Sequence, residues 1–342
     1  MGCSISGLNN LYDAVNGGGD IWINENRFRI VKQIGEGGSD SLYLVKEIRN
    51  ESAVGGGLSK KIKDPSHVSA DGSYSIKKVL IENEEQLETV REEIRVSSLF
   101  SHPNLLPLLD HAIISVKVAT DKTWNNEAYL LFPAHLEGTV VDHAKAMKIK
   151  NERFSTKEVL QIFRQLCAGL KYMHSLDPPY AHNAIKPGNV LLTNKKGQSP
   201  LAILMDFESA RPARKEIQSQ SEALKLQEWA AQHCPELFRA PELWDCTSRS
   251  SIDERTDIWS LGCTLYAIMY GQSPFEYVLE EAEGNLQFAI ENAQIKWPVE
   301  PKSAYPEPLH QFIKWMLQPP TLRPRIDDII IHVDKLITKY ST

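Results

Sequence analysis

Residues 180–192, YAHNAIKPGNVLL, set a lysine, Lys186, three positions before an amide, Asn189; the segment LMDFES downstream adds a carboxylate, Asp206. Asn189 and Asp206 both carry side-chain oxygen acceptors. Upstream, IGEGGSD gathers Gly35, Gly37 and Gly38. Such a loop lets a backbone approach phosphate, although most lone glycine runs are simple turns. Lys77, in YSIKK, interrupts an otherwise apolar strand pattern, which favours an inward-facing ammonium over a surface charge. One position in this set is conspicuous for what it lacks: Ala184, two residues before Lys186, carries only a methyl group.

These residues need elements to position them. RFRIVKQIGEGGSDSLYLVKEI alternates apolar and polar residues on both sides of the glycines, which predicts two strands joined by a turn. YSIKKVLI predicts a further strand, as do HPNLLPLLDHAII and EAYLLFP. Among them ENEEQLETVREEIRVSSLF predicts a charged helix with Leu87, Val90, Ile94 and Leu99 along one face. The polar stretch 49–73, rich in Gly, Ser and Lys, is too long for a hairpin loop and reads as an insertion. From about residue 155 the texture is helical. Ser155 with Glu158 predicts a capping box before VLQIFRQLCAGLKYMH. Ser219 with Glu222 predicts another, before a helix with Leu226, Trp229 and Ala230 on one face. DERTDIWSLGCTLYAIMYG is apolar on nearly every side, as suits a helix at the centre of a lobe. Strands first and helices after, without βα alternation, predict an α+β chain in two lobes.

Bulk properties narrow the function classes. With 42% hydrophobic and 24% charged residues, the 342-residue chain has the composition of a globular protein. A formal net charge of −6 supplies no basic excess for nucleic acid. The five cysteines lack a C-x-x-C pair and read as reduced intracellular thiols. No run reaches the roughly 18 apolar residues of a membrane-spanning helix. The start, MGCSIS, instead fits a myristoylation pattern at Gly2, with Cys3 beside it as a second, palmitoylated anchor. One acyl chain binds membranes marginally, whereas two attach the chain stably to a surface.

In order, the glycine loop, strand lysine, helix glutamate, loop 180–192, D-F-x, A-P-E and D-x-W-S-x-G resemble the protein kinase signature set. That resemblance implies the bilobal protein kinase fold. It places a lipidated tether at 1–27 and a kinase domain at 28–340, with an N-lobe at 28–133 and a C-lobe at 134–340. MGC, GEGG, LQEWAAQHC…FRAPELW and IDERTDIWSLGCTLYAIMYG resemble the Numb-associated kinases, and among them the myristoylated and palmitoylated serine/threonine kinase 16 branch. The similarity runs over almost the whole chain, 49–73 being the main part without a counterpart.

The resemblance implies ATP and Mg2+ as cofactors, protein substrates or partner kinases, and the cytoplasmic face of Golgi or plasma membranes. By the same resemblance Gly35, Gly37 and Gly38 cover the nucleotide, and Lys77 holds its α- and β-phosphates with Glu93 as helix partner. Asp206 holds magnesium between the phosphates, Asn189 holds the second ion, and both are hard oxygen ligands suited to Mg2+; Lys186 neutralises charge on the transferring phosphoryl group. Glu242 and Arg323 form a structural ion pair, and Asp257 braces the catalytic loop.

The departures from the pattern carry the functional expectation. Ala184 stands where the family has the aspartate that accepts the substrate hydroxyl's proton, and a methyl group cannot do so. Glu208 replaces the glycine of D-F-G, where a bulky anion crowds the metal pocket. Ser39 and Asp40 erode the glycine lid, and Asp40 repels a triphosphate. Pro235 removes a hydroxyl that contacts the missing aspartate, and Asn183 replaces an arginine. The expected function is therefore a membrane-anchored pseudokinase that keeps weak ATP and Mg2+ binding and acts as scaffold or allosteric regulator. The alternative is an active serine/threonine kinase, because loose phosphoryl-transfer transition states rely mainly on positioning and electrostatics.

Overall fold

Alternating apolar and polar side chains turn the first part of the chain into one antiparallel sheet. The computed structural model describes residues 20–36, 40–48, 72–117, 124–193, 200–281, 284–298 and 304–340. The chain divides into two units, Met1–Ala134 and His135–Thr342. In the first, strands β1 (Asp20–Ile23), β2 (Asn26–Glu36), β3 (Asp40–Glu47), β4 (Ser73–Ile81), β5 (Asp110–Lys117) and β6 (Trp124–Pro133) form a sheet in the order β1-β2-β3-β4-β6-β5. Ile21, Ile23, Phe28, Val45, Tyr74, Ile76, Tyr129 and Leu131 bury one face of it.

The sheet begins earlier than the expected boundary at residue 28. Ile21 and Ile23 pack into the core, and Asn24, at φ 52°, turns the chain from β1 into β2. Asparagine tolerates that left-handed region. The predicted strand at HPNLLPLLDHAII starts only at Asp110, because Pro103 and Pro107 withhold backbone donors from any ladder. Strand β4 takes in Ser73, the last residue of the expected insertion; residues 49–71 lie outside the described residues, as do Gly37, Gly38, Gly2 and Cys3.

Helix α1 (Glu84–Ser97) is capped by Asn83, whose side chain accepts from the Gln86 N–H at 2.9 Å. Leu87, Val90 and Ile94 face the core at helical spacing, and Glu93 lies among them, 5% exposed. Leu99 departs from the expected stripe. The helix stops at Ser97, Ser98 folds its hydroxyl back onto the Ile94 carbonyl at 2.7 Å, and Leu99 is left exposed.

The second unit is helical around a central element. Helices α2 (Val140–Ile149) and α3 (Thr156–His174) each open with a capping box, Thr139 with Asp142 and the expected Ser155 with Glu158. Short strands β7 (Tyr180–Ala181), β8 (Val190–Thr193), β9 (Leu201–Leu204), β10 (Arg211–Pro212) and β11 (Lys215–Ile217) follow. Helix α4 (Gln220–His233) occupies the segment before A-P-E and buries Ala223, Leu226 and Ala230, with Trp229 packed alongside. Its cap is half a box: Ser219 Oγ accepts from the Glu222 N–H, while the Glu222 carboxylate accepts from the Gln218 N–H. After β12 (Ser250–Ile252), every residue of helix α5 (Thr256–Tyr270) up to Met269 is buried, as the apolar sequence requires. Helices α6 (Leu286–Glu291), α7 (Glu307–Met316) and α8 (Ile326–Tyr340) complete the unit, with Phe163 of α3 meeting Phe312 of α7 edge to face at 5.5 Å.

One ion pair closes this unit. Arg323, fully buried, donates to both oxygens of Glu242 at 2.6 and 2.9 Å, and to the carbonyls of Arg255 and Gln318. Each nitrogen of its guanidinium has an acceptor. Removing one partner of a buried pair strands the other charge, at about 3–5 kcal/mol. Arg323→Met is therefore expected to lower unfolding free energy by about 3–5 kcal/mol in a denaturant titration of the intact chain, and Arg323→Lys to recover only part of it. A loss under about 1 kcal/mol, the range of an exposed ion pair, would contradict the reading.

Candidate active site

Strand β4 places two lysines on opposite faces. Lys78 pairs with Glu127 at 2.9 Å, while Lys77 turns toward helix α1 and donates to Glu93 Oε1 and Oε2 at 2.9 and 3.0 Å. The reason lies in period: strand residues alternate faces, and the helical stripe of Leu87, Val90 and Ile94 carries Glu93 inward with it. A carboxylate this buried requires a cation, and Lys77 supplies it. The same ammonium also stands 3.4 Å from Asp40 Oδ2. Gly35 pairs with Leu42 after two irregularities in the β2–β3 ladder, which ends one step later at Glu36 and Ser41.

In the second unit the loop between β7 and β8 is organised by a buried carboxylate. Asp257, in the first turn of α5, is wholly buried. Its Oδ2 accepts from the His182 backbone N–H at 2.8 Å and meets His174 Nε2 at 2.9 Å; its Oδ1 accepts from the Asn183 N–H at 2.9 Å. The helix N-terminus favours a negative charge at this point. Asn183, held at φ 63°, donates its amide to the carbonyls of Ala181 and Ser209. The loop is thereby tied to the segment after D-F-x, where Ser209 Oγ donates to the His233 carbonyl at 2.8 Å.

The β8–β9 hairpin then brings the two oxygen ligands together. Val190 pairs with Leu204, so Asn189 and Met205 flank the ladder, and the Met205 N–H donates to the Asn189 carbonyl at 2.9 Å. Asp206 turns at φ 71°, a left-handed conformation that aspartate tolerates, and its Oδ2 accepts from Asn189 Nδ2 at 3.0 Å. Asn189 Nδ2 also donates to the Ala184 carbonyl at 2.9 Å, which leaves its Oδ1 as the side chain's remaining donor atom toward a cation. One carboxylate and one amide oxygen suit Mg2+, which completes its shell with water and phosphate oxygens. Such an ion would neutralise phosphate charge beside Asp206. Lys186 is half-buried, and its ammonium makes no ion pair among the described residues.

Ala184 sits in the middle of this framework with its backbone held on both sides. Its N–H donates to His182 Nδ1 at 3.2 Å, and its carbonyl takes the Asn189 amide. His182 is the one titratable ring in the loop, and both its nitrogens are engaged. Nδ1 accepts from Ala184, so Nε2 carries the proton and donates to the Met205 carbonyl at 3.2 Å. Burial holds the imidazole below its ordinary pKa, partly opposed by Asp257 and Asp206. It stays neutral, packed against Phe207, and is not placed to accept a proton from a hydroxyl. Pro235 offers no hydroxyl, and its carbonyl accepts from the Phe238 N–H.

Glu208, the bulky anion in place of a glycine, does not have a positive φ. The left-handed residue of D-F-E is Asp206, not Glu208, and the Glu208 side chain is exposed, so glycine's freedom is not required there. The sequence reading also missed the contact of Asp40 with Lys77 and the role of His182. A histidine beside the loop's Asn183 and Ala184 was visible, but only the structure shows that its ring spans Ala184 and Met205. Cys167, Cys234, Cys246 and Cys263 are buried free thiols, and burial pushes Cys234 up to about 12. Among the described residues no helix is long and apolar enough to cross a membrane, and no three His, Cys, Asp or Glu side chains gather as a metal cluster.

Comparison with known proteins agrees with this geometry. The protein kinase domain family matches residues 28–333. Serine/threonine-protein kinase 16 of Homo sapiens is 30% identical over 320 residues, covering 93% of this chain and 93% of its own length. The enzyme of the same name from Rattus norvegicus gives the same figures. Serine/threonine-protein kinase ppk13 of Schizosaccharomyces pombe is 30% identical over 350 residues, covering 93% of each chain. The chain belongs to the protein kinase family, and within it is similar to serine/threonine-protein kinase 16.

Proposed function

We propose that this kinase-family chain is a membrane-anchored pseudokinase that binds Mg2+ and ATP weakly. It acts as a scaffold or allosteric regulator of partner proteins, active kinases among them, and does not transfer phosphate efficiently. The observation that carries the reading is Ala184: a methyl group at a position whose backbone N–H and carbonyl are both hydrogen-bonded. A positioned base contributes about 10²- to 10⁴-fold in rate, and no titratable ring in the loop replaces it. Lys77 with Glu93, and Asn189 with Asp206, support retained nucleotide binding by the chemistry the protein kinase family uses.

The anchor is part of the proposal. Gly2 and Cys3 fit dual acylation, which would hold the chain on the cytoplasmic face of Golgi or plasma membranes. A second reading, an active serine/threonine kinase, draws on Lys186 and the paired Asn189 and Asp206, since the transition state depends mainly on charge and position.

A transfer assay with radiolabelled ATP separates the two readings. The wild-type chain is expected to phosphorylate neither itself nor a generic substrate above a Lys77→Ala control. Ala184→Asp combined with Glu208→Gly is expected to raise the rate by about 10²- to 10⁴-fold. Robust wild-type turnover that Lys77→Ala abolishes would establish the active kinase instead. For the anchor, labelled myristate is expected to be lost in Gly2→Ala, which moves to the soluble fraction. Cys3→Ser keeps myristate and binds membranes only reversibly. A Gly2→Ala chain that still sediments with membranes would refute the acyl anchor.

A further inference from the structure

We infer that Asp40 competes with phosphate for the Lys77 ammonium, so that this site takes a nucleoside or a nucleotide of low charge in preference to a triphosphate. The inference rests on the nucleotide-binding reading above and names the ligand class of that same site. Leu42 lies directly opposite Lys77 across the β3–β4 ladder, and Asp40, two residues away, shares its face of the sheet. Diagonal strand neighbours lie within reach of long side chains. Lys77 extends to Asp40 Oδ2 at 3.4 Å while keeping Glu93 Oε1 at 2.9 Å.

One cation thus faces two carboxylates before any ligand arrives. The Glu93 side chain is 6% exposed and that of Asp40 31%, so Glu93 is the fixed partner and Asp40 the displaceable one. A phosphate oxygen approaching Lys77 must displace the Asp40 carboxylate or lie beside it. Either way the penalty grows with the ligand's negative charge. A nucleoside carries no phosphate and is indifferent to that contact. Because Asp40 belongs to a regular strand rather than a loop, its carboxylate is presented by the ladder itself.

Calorimetric titration of the full chain with adenosine, and separately with Mg2+-ATP, tests this in four proteins: wild type, Asp40→Asn, Asp40→Ser and the surface control Glu88→Gln. The wild type is expected to bind adenosine at least as tightly as Mg2+-ATP. Both Asp40 variants are expected to tighten Mg2+-ATP by about tenfold or more, equivalent to about 1.4 kcal/mol, with adenosine unchanged within about twofold. Glu88→Gln is expected to change neither, which separates the local contact from net charge. Equal gains for both ligands, or none for Mg2+-ATP, would overturn the role of Asp40 and leave nucleotide binding standing. Binding of neither ligand by any of the four would overturn the nucleotide-binding reading and this inference with it.

Discussion

Asp257 is a carboxylate with no exposure to water, and it remains there because its oxygens meet two backbone N–H groups and an imidazole nitrogen at 2.8–2.9 Å. Burial of such a charge without those partners is prohibitive, so the loop that supplies them is held as firmly as the helix that bears the aspartate. The consequences run outward from this point. His182 is oriented by its backbone, its ring takes the Ala184 N–H, and Ala184 in turn receives the Asn189 amide. Asn189 then meets Asp206. The hydrogen-bonded framework of the loop is complete around a position that carries only a methyl group.

No hydrogen bond of the framework runs through the side chain at 184; the backbone N–H and carbonyl there carry them, and the methyl group is buried. Asn183 adds to this. An asparagine tolerates the left-handed backbone at φ 63° and joins the loop to Ser209 through its own amide, a link that requires no added phosphate. In the other unit, Lys77 is shared between Glu93 and Asp40.

Much of this was legible in the sequence, and the failures have physical causes. Helices announced themselves through caps and apolar stripes, as at Ser155 with Glu158 and along 256–270. The ion pairs of Lys77 with Glu93 and of Arg323 with Glu242 followed from the family resemblance. Leu99 was misplaced because a serine hydroxyl at Ser98 ends the helix by a local bond that periodicity does not register. Strand β1 was overlooked because four residues are too short to show alternation. The contact of Asp40 with Lys77 depends on the register between β3 and β4, which no local pattern reveals. Glu208 was read from the sequence only as a bulky anion in place of a glycine; the left-handed residue of that segment is its neighbour but one, Asp206.

The central claim is that no acidic group stands where a substrate hydroxyl must lose its proton. A crystal structure of the chain with Mg2+, a non-transferable ATP analogue and a serine-containing peptide tests it most directly. The account predicts that the Asp257 bonds to His182 and Asn183 persist and that the peptide hydroxyl faces the Ala184 methyl with no carboxylate within about 3.2 Å. A carboxylate from this chain hydrogen-bonded to that hydroxyl would contradict it.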